Sequence, residues 1–336
     1  MDIGMANERV NGNQSKPMVS VIVSTYQHAP YIKECLDSIL SQKAAFPFEI
    51  VLGEDESTDG TREICIEYAN KYPDTIRLFL RSRKDVVYIN GYATGRFNFM
   101  ENLKAARGEY IAICPGDDYW TDSNKLEIQL AAMKSHPECD MSFHPAIERY
   151  TKGNKRDKII KRRSKGSKIF TAGEVILGGG FCPTAAIVMK REVLEPLPEW
   201  FHTKAPIGDI YIEILGALSG GLLYIDRVMA VRRANVPGSW GSNRKGESSH
   251  EYLRRVELHE ECYQMIDRST GGRYSKEISK KLASYNLISA KKFLKDRKYG
   301  EFRRVIEKSW KLSPYYSFKQ AAFYFFRKLE LPSMGL

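Results

Sequence analysis

Two adjacent carboxylates, Asp117 and Asp118, follow the apolar run at residues 110–114 and a glycine. A short apolar run is typical of a buried strand, and a glycine lets the chain turn directly after it. Carboxylates that project from a strand end can supply oxygen ligands to a hard divalent cation, with water and phosphate oxygens completing the shell. The alternative role is to cap the next helix, although Asp122 or Ser123 would suffice for that. The pair therefore indicates a site for Mg²⁺ or Mn²⁺.

A second acidic cluster, residues 54–56, follows the apolar run Ile50-Val51-Leu52. Asp59 lies where the next helix is predicted to begin, so helix capping explains Asp59 but not Asp55. A carboxylate at a strand end can accept hydrogen bonds from a ribose or from a base N–H group. Tyr26, after the preceding apolar run, can stack on the same base, and a core position is its alternative.

Alternating strand and helix patterns must position these residues. Apolar runs predict strands, and apolar residues at helical spacing predict helices. The predicted strands are residues 19–23, 49–52, 76–80 and 110–114, and the predicted helices are residues 31–42, 61–72, 97–106 and 124–134. Repeated strand–helix units favour a parallel sheet that is covered on both faces. Such sheets bind ligands at the carboxyl ends of their strands, which is where Tyr26, Asp55 and Asp117 fall.

The regularity weakens after residue 135. Short strands are predicted at residues 140–144, 184–189 and 222–227, with a helix at residues 210–218 and a basic loop before it. From residue 248 onward, the charged and amphipathic pattern predicts a helical tail that ends in aromatic residues.

Three segments resemble the family 2 glycosyltransferases of GT-A fold, in matching order and strand context. They are residues 19–27 (VSVIVSTYQ), 49–61 (EIVLGEDESTDGT) and 106–120 (ARGEYIAICPGDDYW), and the resemblance is strong over residues 18–145. It implies an α/β fold with a Rossmann-like, mostly parallel sheet flanked by helices, here followed by a C-terminal helical extension. It also implies an inverting transferase that moves a sugar from a nucleotide diphosphate, typically UDP, to a glycan or lipid-linked glycan of a bacterial surface polysaccharide.

The same resemblance implies roles for six donor-side residues: Ser24, Thr25 and Tyr26 around the nucleobase, Asp55 on the base, Asp117 on the ribose and Asp118 on Mg²⁺ or Mn²⁺ at the diphosphate. Many relatives have an acidic residue where this chain has Pro115. The metal shell is therefore expected to depend more on Asp118 and on the oxygens of the nucleotide.

Inverting members of this family need a base that takes the proton from the acceptor hydroxyl, typically at the start of a helix that lines the cleft. By resemblance this base is Asp209, within residues 206–210 (PIGDI). Helix N-capping is the alternative, and the residues alone favour it.

Residues 231–241 (VRRANVPGSWG) resemble the loop that closes over the diphosphate in relatives, where a histidine often contacts the metal or phosphate. This chain has Asn235 there, and an amide oxygen suits Mg²⁺ at least as well as Mn²⁺. Arg232 and Arg233 can neutralise the diphosphate, with solvated arginines as the alternative. Trp240 and the segment Cys182-Pro183-Thr184 lie where relatives shape the acceptor pocket.

Charge and composition limit the partners. The formal net charge is +11, and nine basic residues face one acid between Lys152 and Lys168. This basic segment is expected to be a solvated loop, with anionic lipid or a phosphorylated acceptor as alternatives, while no recognition signature supports nucleic acid. Six scattered cysteines and the absence of a continuous apolar span predict a cytoplasmic protein, with peripheral contact at the inner face of the plasma membrane as a weaker hypothesis.

The predicted organisation is a flexible N-terminus at residues 1–17, a nucleotide-sugar-binding half at 18–145, an acceptor-binding half at 146–247 and a helical tail at 248–336. Two alternative functions remain. A sugar nucleotidyltransferase would need a glycine-rich loop with Arg and Lys after the first strand, and residues 24–28 (STYQH) lack one. The other alternative is a non-catalytic nucleotide-binding scaffold of the same fold.

Overall fold

The computed structural model describes residues 16–153, 155–237 and 246–328. The described chain divides into two compact units. The first is built from residues up to 175, from 179–199 and from 207–237, and the second from residues 176–178, 200–206 and 246 onward. The predicted flexible N-terminus at residues 1–17 lies almost entirely outside the described residues, as does Trp240.

The first unit contains an eight-stranded sheet in the order β11-β13-β8-β12-β6-β1-β2-β3 and a four-stranded sheet in the order β10-β9-β14-β7. Two short strands, β4 and β5, form a separate hairpin. The strands are β1 (Val19–Thr25), β2 (Phe48–Glu54), β3 (Ile76–Leu80), β4 (Tyr88–Ile89), β5 (Tyr92–Ala93), β6 (Tyr110–Ile113), β7 (Tyr119–Trp120), β8 (Met141–Phe143), β9 (Ala146–Tyr150), β10 (Lys158–Ile160), β11 (Lys168–Phe170), β12 (Val188–Lys190), β13 (Leu222–Tyr224) and β14 (Ala230–Ala234).

Seven helices lie within the described residues 16–153 and 155–237. They are α1 (Ile32–Leu40), α2 (Thr61–Lys71), α3 (Arg96–Ala105), α4 (Lys125–Ser135), α5 (Ala172–Gly178), α6 (Glu199–Thr203) and α7 (Gly208–Ala217). Strands β6, β1, β2 and β3 run parallel to one another, whereas β12 pairs antiparallel with β6. The predicted α/β architecture, a mostly parallel sheet flanked by helices, is confirmed.

Burial explains why the apolar pattern of the first half of the sequence predicts its strands and helices. Strand β1 lies in the middle of the sheet, and its Val19, Val21 and Val23 side chains are fully buried. Valine fits a strand that is covered on both faces because its branched side chain packs well on the pleated surface. Helix α1 buries Ile32, Cys35, Leu36 and Ile39, which share one face of the helix at the expected spacing.

Two predictions for the second half need correction. Residues 184–189 were predicted as one strand, but Thr184–Ala186 form a 3₁₀ turn and β12 begins only at Val188. The turn is stabilised by local hydrogen bonds, including Ala186 N–H to Pro183 O at 2.9 Å. The basic segment was predicted as a loop, but it contains β10, which pairs antiparallel with β9 through Ile159 and Ile147.

Within the described residues, the second unit contains most of α6 and four further helices: α8 (Ser249–Ser269), α9 (Ser275–Lys295), α10 (Tyr299–Leu312) and α11 (Phe318–Phe325). A capping box at Ser248 and Glu251 begins α8, and Leu253, Phe293 and Ile306 belong to the buried cluster that packs these helices together. The predicted C-terminal helical extension is confirmed. Among the described residues, none of the helices combines the length and the apolar character needed to cross a bilayer.

Helix α4 begins with an unusual core residue, Lys125, which is fully buried. Its Nζ has no hydrogen-bond partner among the described residues and lies 4.1 Å from the centroid of the Trp120 ring. Burial lowers the pKa of Lys125 to about 7. The ammonium form is therefore poorly solvated, and contact with the ring face compensates for part of the lost water.

We expect Lys125→Met to increase the free energy of unfolding by about 1–3 kcal/mol at pH 7, because methionine fills the same space without a buried charge. The folded-state pKa lies below the unfolded value, so the penalty is fully present below pH 7. The penalty disappears as pH rises toward the unfolded pKa of about 10.4, so the stability gained by Lys125→Met should shrink over that window.

Urea unfolding at several pH values measures both effects. Lys134→Met, at an exposed position of the same helix, is the control. A variant less stable than wild type at every pH would contradict this account.

Candidate active site

Asp117 and Asp118 form a turn between β6 and β7 at the carboxyl edge of the large sheet. Gly116 N–H donates to Ser24 O at 3.1 Å, which ties the turn to the end of β1. A Cβ atom at Gly116 would lie 2.6 Å from Thr25 Oγ1, so only glycine permits this close approach. Asp118 is 4% exposed, and its Oδ1 accepts the N–H of Arg233 at 2.8 Å. Burial, reinforced by the neighbouring Asp117, raises the pKa of Asp118 well above its ordinary value.

The buried Arg233 connects this turn to two other elements. Its guanidinium donates to Asp117 O at 2.7 Å, forms an ion pair with Glu34 of α1, and lies 4.7 Å from the ring centroid of Tyr119. The sequence suggested a diphosphate contact or a solvated arginine for this residue. In the structure Arg233 is not solvated, and its contacts brace the Asp117–Asp118 turn against β14 and α1.

The neighbouring Arg232 faces elsewhere and pairs with Glu148 of β9 at 3.0 Å, with about half of its side chain exposed. Asn235 follows the last residue of β14 and has a φ of 64°. Asparagine tolerates this left-handed conformation better than most residues. Since Arg233 N–H bonds to Asp118, Asn235 lies only two residues from a direct neighbour of the carboxylate.

The predicted nucleobase residues also meet at this edge. Strands β1 and β2 pair in parallel register, and Asp55 N–H donates to Thr25 O at 3.1 Å. The structure thus brings Ser24, Thr25, Tyr26, Asp55 and the Asp117–Asp118 turn to the ends of three adjacent strands. Tyr26 is half-buried, so the alternative of a core tyrosine does not hold.

Sequence reasoning missed Arg83, which contacts both Asp55 and Tyr26. Its Nη1 lies 2.7 Å from Asp55 Oδ2, and its guanidinium lies 4.0 Å from the centroid of the Tyr26 ring. Burial raises the pKa of Asp55, while Arg83 acts in the opposite direction. The available signal was the basic run at residues 81–84, which follows β3 and therefore falls at the same edge of the sheet as Asp55.

Asp209 is the second residue of α7, and Ile207 occupies the N-cap position. The N-capping alternative therefore does not describe Asp209. Its Oδ2 accepts a hydrogen bond from the Thr184 hydroxyl at 2.6 Å. Thr184 belongs to the segment predicted to shape the acceptor pocket, and the structure places it against the predicted base.

A second acid of α7, Glu213, was also missed. It is 1% exposed and accepts backbone N–H bonds from Phe181 at 2.5 Å and Cys182 at 2.8 Å. Burial raises the pKa of Glu213 to about 7, although the two N–H donors act in the opposite direction. The signal was an acid in an otherwise apolar helical run, four residues after Asp209.

The donor chemistry at the Asp117–Asp118 turn fits a hard divalent cation. The turn offers carboxylate oxygens, with the amide oxygen of Asn235 nearby in the chain, and such oxygens are the ligands that Mg²⁺ and Mn²⁺ prefer. A cation would also relieve the repulsion between two adjacent carboxyl groups, one of them buried. No group of three or more His, Cys, Asp or Glu side chains able to hold a metal occurs in the described part of the chain. The fit therefore requires further ligands from a phosphate group and water.

Known proteins resemble this chain both in sequence and in fold. The sequence model of Glycosyl transferase family 2 matches residues 20–197. The uncharacterized protein Rv1520 of Mycobacterium tuberculosis is 33% identical over 226 residues, which cover 67% of this chain and 61% of that protein. This chain therefore spans about three-fifths of the length of that relative. TuaG of Bacillus subtilis, provisionally named a teichuronic acid biosynthesis glycosyltransferase, is 32% identical over 43% of this chain and 53% of its own.

Among solved structures, that of S. aureus TarS residues 1–349 in complex with UDP-GlcNAc superposes with a TM-score of 0.64 and 17% sequence identity. The superposition covers 92% of this chain and 90% of that chain. At this identity the likeness establishes the fold. Since the family model matches more than half of the chain and the fold agrees, the chain belongs to glycosyl transferase family 2 and has a GT-A fold.

Proposed function

We propose that this chain transfers a sugar from a nucleoside diphosphate donor to the hydroxyl of a glycan or lipid-linked glycan, with inversion at the anomeric carbon. The observation that carries the proposal is the meeting of Asp55, Asp117 and Asp118 at the ends of three adjacent strands. A UDP-sugar is the first donor to test because the structural neighbour TarS binds UDP-GlcNAc.

The donor side divides into a base pocket and a diphosphate pocket. Asp55 would accept a hydrogen bond from the base, with Tyr26 as the stacking platform and Ser24 and Thr25 as the strand end beneath it. Arg83 now covers the Tyr26 ring, so the base must either displace this guanidinium or stack beside it. Asp117, which is more exposed than Asp118, is the ribose contact in this proposal.

Asp118, with Asn235, would hold Mg²⁺ or Mn²⁺ against the diphosphate. The bound cation would stabilise the charge that develops on the leaving diphosphate. Arg233 contributes by fixing the orientation of the Asp118 carboxylate through its backbone N–H. Arg232, which is half exposed, could reach a phosphate only by leaving Glu148.

Asp209 acts as the general base in this mechanism. Its Oδ2 is engaged by the Thr184 hydroxyl, so we assign Oδ1 to the acceptor. The acceptor hydroxyl gives its proton to Asp209 while its oxygen attacks the anomeric carbon and the bond to the diphosphate breaks. Because attack and departure occur on opposite faces of the sugar, the anomeric configuration inverts.

Calorimetry with UDP, dTDP and GDP, each with and without Mg²⁺ or Mn²⁺, tests the proposed function. We expect one nucleoside diphosphate to bind, and the metal to strengthen its binding. With the corresponding nucleotide sugar, the protein should release that diphosphate slowly when water accepts the sugar. Release should be faster when the correct acceptor is present. Failure of all three to bind with either metal would refute the assignment.

We also propose that the second unit contacts an anionic membrane. Helix α11 exposes Phe318 by 91% and Phe325 by 57%, and their seven-residue spacing puts them on one face. Lys311 and Lys319 are exposed in the same region of the chain. Aromatic rings that enter the interface and lysines that attract anionic headgroups together favour peripheral binding.

The basic segment at Lys152–Lys168 supports this contact less than its charge suggested. Within it, Lys158, Arg162 and Lys168 pair with acidic side chains. Lys161 and Arg163 bond to backbone carbonyls. The membrane proposal therefore rests on α11 and its surroundings.

Vesicle flotation checks this proposal. We expect salt-sensitive binding to vesicles that contain phosphatidylglycerol, lost in the double variant Phe318→Ser/Phe325→Ser. Tyr88→Ser, at a 67% exposed aromatic residue of the first unit, should bind like wild type. Equal binding to neutral phosphatidylcholine vesicles, or no loss in the double variant, would contradict it.

A further inference from the structure

The loop at residues 180–184 is held on two sides by ionisable side chains, those of Glu213, Lys161 and Arg163. We call these three side chains the clamp. On one side its backbone N–H groups point to a single buried carboxylate: Glu213 Oε2 accepts from Phe181 at 2.5 Å and Oε1 accepts from Cys182 at 2.8 Å. Both oxygens of Glu213 are used, and the side chain is 1% exposed. A buried carboxyl group whose two oxygens each accept a backbone N–H holds the loop backbone on this side.

Two cations of the basic segment hold the other side of the same loop. Lys161 Nζ donates to Gly180 O at 2.5 Å, and Arg163 donates to Phe181 O at 2.8 Å. The Arg163 guanidinium also lies 4.0 Å from the centroid of the Phe181 ring. The ring packs against Phe143 and Phe170 at centroid distances of 5.6 and 5.0 Å. The loop is therefore fixed through its amides, its carbonyls and its aromatic side chain.

The same loop ends at the proposed base. Thr184 Oγ1 donates to Asp209 Oδ2 at 2.6 Å, and Asp209 and Glu213 lie one turn apart on α7. Residues four apart on a helix share a face, so one face of α7 holds the loop at Glu213 and receives it at Asp209. The contacts therefore run from Glu213 to the loop, along the loop to Thr184, and back to Asp209 on the same helix. We call this set of contacts the circuit.

From this circuit we infer that Glu213 and Thr184 are positioning residues for Asp209. Glu213 sets the loop, and the loop presents Thr184 to Oδ2, which leaves Oδ1 aimed at the acceptor. The inference rests on the proposed function, in which Asp209 takes the acceptor proton. Orientation of a base matters because a displacement of about 1 Å can cost about 10²-fold in rate.

Two isosteric substitutions break the circuit at different points. Thr184→Val removes the hydroxyl and keeps the shape of the side chain, whereas Thr184→Ser keeps the hydroxyl. Glu213→Gln replaces one acceptor oxygen with an NH₂ group, so a donor would face the N–H of Phe181 or Cys182. Arg163→Lys keeps the positive charge but cannot make the two hydrogen bonds that the guanidinium donates to Phe181 O.

The experiment measures release of UDP from UDP-GlcNAc, first with water as acceptor, together with the Kd of UDP and the thermal unfolding midpoint. If calorimetry shows that a different nucleoside diphosphate binds, the corresponding nucleotide sugar is used in place of UDP-GlcNAc. We expect Thr184→Val and Glu213→Gln each to lower kcat about tenfold or more, with UDP affinity within about twofold of wild type. Thr184→Ser should restore most of the rate. The double variant should be no slower than the slower single variant, since both act through Asp209.

The same substitutions in an Asp209→Asn background separate positioning from general loss of structure. We expect no further loss of rate there. Multiplying losses in the double variant, or a further loss in the Asp209→Asn background, would overturn the inference. If Glu213→Gln does not fold, Arg163→Lys tests the clamp from the other side and should lower kcat without changing UDP affinity.

The outcomes also distinguish this inference from the proposed function. If Asp209→Asn is inactive but Thr184→Val and Glu213→Gln keep wild-type kcat, only the positioning role is refuted. If Asp209→Asn keeps wild-type kcat, the base assignment is wrong and the positioning role is refuted with it.

Discussion

Asp209→Asn is expected to lower kcat by about 10²- to 10⁴-fold, because the amide cannot take the proton from the acceptor hydroxyl. The variant can still accept the Thr184 hydrogen bond through its Oδ oxygen, so the loop at residues 180–184 should stay in place. In the proposed mechanism, residues at the ends of β1, β2 and β6 bind the donor, and α7 does not contribute to that binding. We therefore expect the Kd of UDP to stay within about twofold of wild type and the loss to appear in kcat.

Single-turnover release of UDP from UDP-GlcNAc, with and without a glycan acceptor, measures this loss. Asp296→Asn is the matched control, since Asp296 is exposed at the end of α9 in the second unit. It should retain wild-type kcat. Near-full activity of Asp209→Asn with donor and metal binding intact would refute the base assignment.

Asp118→Asn should abolish most of the metal-dependent gain in UDP affinity. The variant replaces the carboxylate that we propose as a metal ligand with a neutral amide, which binds a hard cation more weakly. We expect a loss of about tenfold to 10²-fold in UDP affinity with Mg²⁺ present and little change without metal. Asp117→Asn provides a contrast, because a ribose contact should weaken UDP binding to a similar extent with and without metal.

The burial of Asp118 also predicts the direction of two accompanying effects. Its folded-state pKa is raised, so the ionised carboxylate costs stability above the unfolded pKa. Asparagine removes that cost and still accepts the Arg233 N–H, so without metal the variant should unfold at the same temperature or higher. Because protons compete with the cation for the Asp118 carboxylate, the affinity of the wild type for the metal should fall as pH is lowered.

Calorimetry at two pH values and thermal unfolding without metal check these expectations. If Asp118→Asn binds UDP with undiminished dependence on Mg²⁺ or Mn²⁺, the cation lies elsewhere. A large drop in the unfolding temperature would instead show that the carboxylate stabilises the fold.

The sequence by itself determined the architecture of the donor side. Apolar runs and helical spacing are local patterns, and they located β1, β2, β3 and β6 to within a few residues. Since parallel strands end at a common edge, the polar residues after them had to meet there. This is why the sequence alone predicts that Tyr26, Asp55 and the Asp117–Asp118 pair lie at one edge of the sheet.

The sequence predicts the strands of the second half less accurately, because these short strands pair with partners far away in the chain. Strand β12, for example, pairs with both β6 and β8. The basic segment looked like a solvated loop by composition, since charge alone does not show whether a lysine meets water or a carbonyl. Only the fold placed Lys161 and Arg163 on the loop at residues 180–184.

Tertiary structure alone decided which side chains support the site. Arg83 reaches Asp55 across 28 positions, Arg233 reaches Asp118 across 115, and Glu213 reaches Phe181 across 32. No local pattern encodes these pairings, because each depends on how the sheet and its helices close around one another. The sequence therefore determined which strand-end residues could do chemistry, and the tertiary structure decided what holds them in place, since only the fold brings hydrogen-bond partners together from distant parts of the chain.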